Sequence, residues 1–232
     1  MPVLLCDLDD TLFDHQHATR TALARLRSVD PRLQQWPLED LKARHHILLE
    51  QFHQEVLAGR LTIDKAREQR FQTLVGGGVA AGLAQAYREA YTTDWREVAG
   101  SAALLRAVRD LGWAVVIVTN NIVSEQRLKL ARIGLAELVD HLVTSEEVGV
   151  SKPHAGIFHH ALGTVDAGPD DAVMLGDTWP ADVEGARGVG IRPVWLNRHG
   201  TTSPDPSVPE LRALTPTEDV LAVVCGLLEA RP

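Results

Sequence analysis

Five short apolar runs, each stopped by a polar or acidic turn, constrain this chain most. Val3 to Cys6 ends at Asp7, and similar runs cover Ala114 to Val118, His141 to Val143, Ala172 to Leu175 and Ile191 to Leu196. A strand buried on both faces meets no water on either, so it reads as a continuous apolar run. Helical patterns lie between the later runs. Leu104, Leu105, Val108 and Leu111 form one face, Leu128, Leu130 and Ile133 another behind Ser124 as N-cap, and Ile157, Phe158, Ala161 and Leu162 a third. Strands alternating with helices need right-handed crossovers, so the chain is predicted to be α/β with a doubly wound parallel sheet.

One region breaks the alternation. Residues 15–94 carry helical patterns and no convincing strand: Leu48, Leu49, Phe52 and Val56 make one stripe, and Leu83, Ala84, Ala86 and Tyr87 contribute to another. Gly76, Gly77 and Gly78 mark a loop between two of these helices. Roughly eighty residues are too many for one crossover. The segment is read as a separate helical domain inserted into a core of residues 1–14 and 95–232. Residues 199–216, with Pro204, Pro206, Pro209 and Pro216, read as loop before a closing helix from Glu218 to Leu228.

Composition removes several function classes. Lys and Arg total 23 against 31 Asp and Glu, for a net charge of -8. Such a surface repels polyphosphate, so no nucleic acid polymer is expected as partner. The longest apolar runs are too short to span a bilayer, no signal peptide precedes Asp7, and Cys6 and Cys225 read as reduced residues. A soluble cytoplasmic protein is expected; nothing in the sequence specifies its oligomeric state.

In an open parallel sheet, ligands bind beyond the carboxyl ends of the strands. Those ends carry Asp7-Leu8-Asp9-Asp10-Thr11, Thr119-Asn120, Ser151-Lys152-Pro153 and Gly176-Asp177 followed by Asp182. Taken singly, an Asp-rich turn is most often a turn or helix cap, and a lone Lys is a solvated charge. Together they are complementary. Crowded carboxylates repel, a divalent cation with oxygen ligands relieves that, and Thr and Asn donors with an ammonium suit a phosphate. The chain has 19 Arg but only 4 Lys, so a Lys at this edge is read as chosen for its compact charge.

These four motifs, in this order and with a helical insertion after the first, resemble the haloacid dehalogenase-like hydrolase superfamily over nearly the whole chain. The insertion resembles that family's cap. Ser145 to Pro153 and Gly185-Ala186-Arg187 are similar to its pyrimidine nucleotidase-like and related small phosphatase branches. The resemblance implies Asp7 as nucleophile and Asp9 as general acid and base. It implies Mg²⁺ held by the Asp7 carboxylate, the Asp9 carbonyl and Asp177, with phosphoryl oxygens held by Thr119 and the Asn120 amide. Lys152 would neutralise both Asp7 and the phosphate. Asp182 would orient Lys152 or a metal-bound water, or else cap the following helix.

Dehalogenases of this family lack an acid at the Asp9 position, since halide leaves without a proton; an alkoxide does not. The implied activity is therefore hydrolysis of a small phosphorylated metabolite, with a nucleoside monophosphate first and a sugar phosphate next. A phosphosugar mutase, a phosphonatase and a phospho-accepting receiver-like domain are the alternatives. Among the remaining residues, His15 and His17 are read mainly as linker histidines and His159-His160 as scaffold. Trp179 is either pocket wall or packing, and Tyr87, Tyr91 and Trp95 are helical-domain core.

Overall fold

The computed structural model describes residues 1–77, 80 and 82–229; Gly78 of the glycine triplet lies outside them. In chain order the elements are β1 (Val3–Cys6), α1 (His15–Val29), α2 (Pro31–Gln34), α3 (Leu38–Leu57), α4 (Ile63–Leu74) and α5 (Leu83–Tyr91). They continue with α6 (Ser101–Asp110), β2 (Ala114–Thr119), α7 (Val123–Arg132), β3 (His141–Thr144), α8 (Ser145–Val148) and α9 (Ala155–Gly163). The last are β4 (Ala172–Gly176), α10 (Gly185–Arg187), β5 (Arg192–Leu196), β6 (Glu210–Leu211) and α11 (Thr217–Glu229). The chain divides into two compact units, residues 15–95 and the rest.

The larger unit is a six-stranded parallel sheet in the order β3-β2-β1-β4-β5-β6. Each apolar run became a strand, and β1, β2 and β4 are buried along their whole length. On one face Val3, Leu5, Val116, Met174, Ile157 and Phe158 share a core. The chain order reverses at β1, which lies between β2 and β4, so this is the switch point at which ligands enter such sheets. Register does the positioning: Cys6 aligns with Ile117 and Leu175, so the residues after β1, β2 and β4 emerge side by side.

Two readings are corrected. The Pro-rich segment supplies an edge strand, β6, where Glu210 and Leu211 pair with Trp195 and Leu196. Helix α7 begins at Val123, with Ile122 as its cap residue; Ser124 lies inside the first turn. The Val123 N–H is instead met by Glu146 Oε2 at 2.9 Å. Among the described residues no helix is long and apolar enough to cross a membrane.

Among its described residues, the regular structure of the smaller unit is all helical. Its core includes Leu23, Leu33, Leu41, Phe71 and Tyr87, while the stripe expected from Leu48 to Val56 is only half-buried. Helix α3 turns Leu41 and His45 inward instead. Burial first, then Arg70, pushes the His45 imidazole well below its usual range. Tyr87, Tyr91 and Trp95 form a continuous ring contact. His15 Nδ1 meets the Tyr91 hydroxyl at 2.8 Å, and His17 Nε2 meets Asp94 at 2.6 Å.

Within the larger unit, the chain leaves for the helical segment and returns from it along one short ribbon. Phe13 bridges Glu97, Val98 N–H donates to Leu12 O at 2.8 Å, and Asp14 N–H donates to Arg96 O at 3.1 Å. The buried Asp14 carboxylate accepts from Arg96 at 2.8 Å and from Arg198 at 3.2 Å. Burial alone would raise its pKa, but the two guanidiniums bring it below the usual carboxylate value.

Candidate active site

The Asp7 N–H still donates to Leu175 O at 2.9 Å, so Asp7 prolongs β1 and is fixed by the sheet. After it the chain turns abruptly. Leu8 O accepts from Thr11, Leu12 and Phe13, while Leu8, Leu12 and Phe13 are wholly buried. The turn is closed by Asp10 in the left-handed region, at φ 64°. These apolar anchors leave Asp7, Asp9 and Asp10 at the edge.

Lys152 is buried, and its Nζ lies 2.7 Å from both Asp7 Oδ1 and Asp182 Oδ1. Burial alone would depress its pKa, but Asp182 and Asp7 more than offset this and raise it. The loop that carries it is clipped to β2 by Asn120. The Asn120 Nδ2 donates to Lys152 O at 2.9 Å, and Lys152 N–H donates to Asn120 Oδ1 at 2.7 Å. The Asn120 side chain is thus committed to holding this loop. Asp182 accepts from the Thr178 N–H at 2.9 Å as well as from Lys152, so both its oxygens are engaged. It lies within the turn Trp179–Glu184, where it meets the N–H of the cap residue Thr178, while the cap residue of the following α10 is Glu184. Gly176 explains itself here: a Cβ at that position would occupy the space of the Asp182 carboxyl.

Carboxylate oxygens of Asp7, Asp177 and Asp182 lie within 4.8 Å of one another. Among the described residues Lys152 contacts two of these three carboxylates, Asp7 and Asp182. Burial, opposed by Lys152 and reinforced by Asp182, pushes Asp7 up to about 7. Burial and then Asp7 and Asp182 hold Asp177 well above the usual carboxylate range. Among the described residues the Asp177 carboxylate makes long contacts, 3.4 Å from both the Thr11 and Thr178 hydroxyls, while its carbonyl accepts from the Trp195 indole at 2.8 Å. An all-oxygen cluster short of positive charge fits a hard divalent cation. A cavity of about 160 Å³ opens beside Asp177, with Asp10, Arg198 and Thr201 in its walls.

The Asp9 carboxylate is absent from that group. Its Oδ1 lies 2.6 Å from Lys129 Nζ, and its Oδ2 accepts from Gln126 Nε2 at 3.0 Å. Gln126 also donates to Thr119 Oγ1 at 2.7 Å, tying the ends of β1 and β2 through α7. Lys129 and Gln126 are 1% and 0% exposed, whereas Leu128, expected on the apolar stripe, is 43% exposed. Sequence reasoning missed both polar residues. The scarcity of lysine was the available signal, since two of only four lysines meet the aspartates of the first motif.

Trp179 packs edge-on against Trp195 with ring centres 5.0 Å apart and donates to Glu184 at 3.2 Å, which makes it a packing residue. Cys6 is buried in β1, and burial raises its thiol pKa far above the usual value.

The haloacid dehalogenase-like hydrolase family matches residues 1–190. The chain belongs to that family. A glyceraldehyde 3-phosphate phosphatase from Pyrococcus furiosus is 30% identical over 203 residues, covering 84% of this chain and 80% of the relative. The pyrimidine 5'-nucleotidase YjjG of Escherichia coli is 36% identical over 129 residues, 55% of this chain and 56% of its own. Among solved structures, the magnesium-bound HAD-hydrolase YfnB from Bacillus subtilis superimposes with a TM-score of 0.78 at 26% identity, covering 96% of this chain and 97% of the other.

Proposed function

We propose that this hydrolase is a Mg²⁺-dependent phosphatase that cleaves a small phosphate monoester through an aspartyl-phosphate. One observation carries the reading: the two aspartates of the first motif are separated, Asp7 into the buried cation-seeking cluster and Asp9 out of it. Two carboxylates in distinct surroundings suit two distinct roles. Asp7 would attack phosphorus through Oδ2, the oxygen other than the one Lys152 holds, forming the O–P bond as the ester P–O bond breaks. The departing alkoxide oxygen would take a proton from Asp9. Water would then attack phosphorus and give its proton to Asp9, breaking the Asp7–phosphate bond and releasing inorganic phosphate.

Lys152, fixed by Asp182, would neutralise charge on both Asp7 and the phosphoryl group, and Thr119 with the Asn120 amide would hold the other phosphoryl oxygens. The Asp7 and Asp177 carboxylates with the Asp9 carbonyl would hold Mg²⁺, which when bound supplies charge neutralisation between carboxylate and phosphate dianion. The presence of Asp9 favours ester hydrolysis over dehalogenation, where a proton donor has no use. The helical unit takes the cap role in this reading. Free Cys6 and Cys225 and the absence of a membrane-long helix among the described residues support a cytoplasmic location.

Nucleoside monophosphates and sugar phosphates are the leading substrates, in keeping with the activities named for the two relatives. The test is phosphate release from a panel of nucleoside monophosphates, sugar phosphates, a phosphopeptide and a 5'-phosphorylated oligonucleotide, with Mg²⁺ and with excess chelator. Turnover of the small esters alone, abolished by chelation and restored by Mg²⁺ but poorly by Ca²⁺, is expected. Full activity in chelator sinks the metal assignment, and equal turnover of the macromolecules sinks the small-substrate assignment.

A further inference from the structure

Lys129 is one of the largest wholly buried side chains in the protein. An ammonium removed from water needs compensation, and surface lysines do not take that position without a partner. Its Nζ meets Asp9 Oδ1 at 2.6 Å and Glu125 at 3.7 Å, and it sits 5.0 Å from the centre of the Phe13 ring. Three sides of the ammonium are therefore defined by the turn that carries Asp9 and by its own helix.

Gln126, one turn earlier on the same face of α7, fixes the other carboxylate oxygen. Its amide nitrogen reaches both Thr119 Oγ1 and Asp9 Oδ2, while its Oε1 has no hydrogen-bond partner among the described residues. A buried amide that leaves its own oxygen unmet is oriented by the acceptors of its nitrogen, since the unmet group carries a cost of about 1–3 kcal/mol. The carboxylate is thus held at both oxygens, and one of the holders is shared with Thr119.

We infer that Lys129 and Gln126 are positioning residues that fix the Asp9 carboxylate beside Thr119, where the leaving oxygen departs from a phosphoryl group. The inference rests on the proposed role of Asp9 as general acid. It differs from a purely structural role, in which Lys129 would only fasten α7 to the turn. An acid held in place matters in proportion to how badly the leaving group needs a proton, whereas a fastening matters equally for every substrate.

The experiment compares Lys129→Met with the parent, in Mg²⁺, on an alkyl phosphate and on p-nitrophenyl phosphate. The quantity read is kcat/KM, which covers only the steps through departure of the leaving group. Nitrophenolate leaves unprotonated and alkoxide does not. Lys129→Met should lose roughly 30- to 100-fold on the alkyl ester and less than about 5-fold on the nitrophenyl ester, within the range that acid–base catalysis supplies. Gln126→Met should show the same selectivity at smaller size, and Lys129→Arg should recover most of the alkyl activity. Gln126→Met, which removes the donor to the other Asp9 oxygen, carries the comparison should the Lys129→Met variant not fold.

Equal losses on both esters, or none on either, overturn the inference. Asp9→Asn on the same two substrates separates it from the reading beneath it. If Asp9→Asn shows no leaving-group selectivity, the acid role itself fails. If Asp9→Asn is selective and Lys129→Met is not, only the positioning role fails.

Discussion

Asp7 and Asp9 are two residues apart, and each meets a lysine within 2.7 Å, yet the two pairs are built differently. Lys152 belongs to a loop clipped to β2 by a reciprocal Asn120 pair, serves Asp7 and Asp182 at once, and leaves Asp7 with a side chain only 10% exposed. Lys129 reaches across from a helix, and the Asp9 side chain that it holds remains 27% exposed. The difference fits the two roles proposed for these carboxylates, nucleophile for Asp7 and general acid and base for Asp9. A nucleophile gains from a fixed, dry position, since its attack needs alignment and an unscreened charge balance. A group that gives up and regains protons must keep contact with water.

Substitutions at each pair test this contrast, and the largest effect is expected at the nucleophile. Asp7→Asn should fold and lose at least ~10³-fold in kcat, because no neighbouring carboxylate can replace the attacking oxygen. Phosphate release from p-nitrophenyl phosphate measures it; activity above a few per cent of the parent breaks the assignment. Lys152→Met comes next. It leaves Asp7, Asp177 and Asp182 facing one another without the ammonium, at a cost of about 3–5 kcal/mol for an uncompensated buried charge. Thermal melting should drop sharply, and Mg²⁺ should raise the melting temperature of this variant more than that of the parent, since a bound cation would supply the missing charge. An equal Mg²⁺ shift in both proteins contradicts the shared site.

Gly176→Ala perturbs the buried pair from the side. Its methyl group displaces Asp182, which should cost about 1–3 kcal/mol and weaken the hold on Lys152. A melting curve unchanged from the parent shows that Asp182 has room to move. The smallest effect belongs to the second pair: Glu125→Gln weakens a 3.7 Å interaction with an ammonium that Asp9 already meets at 2.6 Å, for about 1 kcal/mol or less. Activity should stay within twofold; a larger loss means that Lys129 depends on Glu125 and not on Asp9 for its position.

How legible each part was follows from how local its cause is. The strands were readable because double-sided burial writes itself into consecutive residues, and Asp7, Thr119 and Asp177 stood out as candidates because each closes or follows such a run, with Lys152 farther on, beyond α8. Helix α7 was misjudged because its inward face is set by Asp9, far away in sequence. Burial of Gln126 and Lys129 with exposure of Leu128 reverses the rule that an apolar stripe faces the core. In α3 the same happened at His45, where ring contacts with Phe71 and Tyr87 decided what faces inward. Strand β6 was hidden because two residues between prolines carry no periodic signal, and β5 alone recruits them.

The ribbon formed by Leu12, Phe13 and Asp14 against Arg96, Glu97 and Val98 has a consequence for how such a chain can change over time. Its two arms are already hydrogen-bonded to each other inside the larger unit, with Asp14 gripping Arg96 as a clasp. The ribbon therefore closes the helical segment into a loop, and the entropy of closing a loop grows slowly with its length. Whatever is strung between residues 14 and 96 is free to lengthen, shorten or be exchanged without asking the strands to re-register. The clasp makes the insertion a replaceable part: the helical segment is able to vary in length and sequence while the residues at the strand ends keep their places.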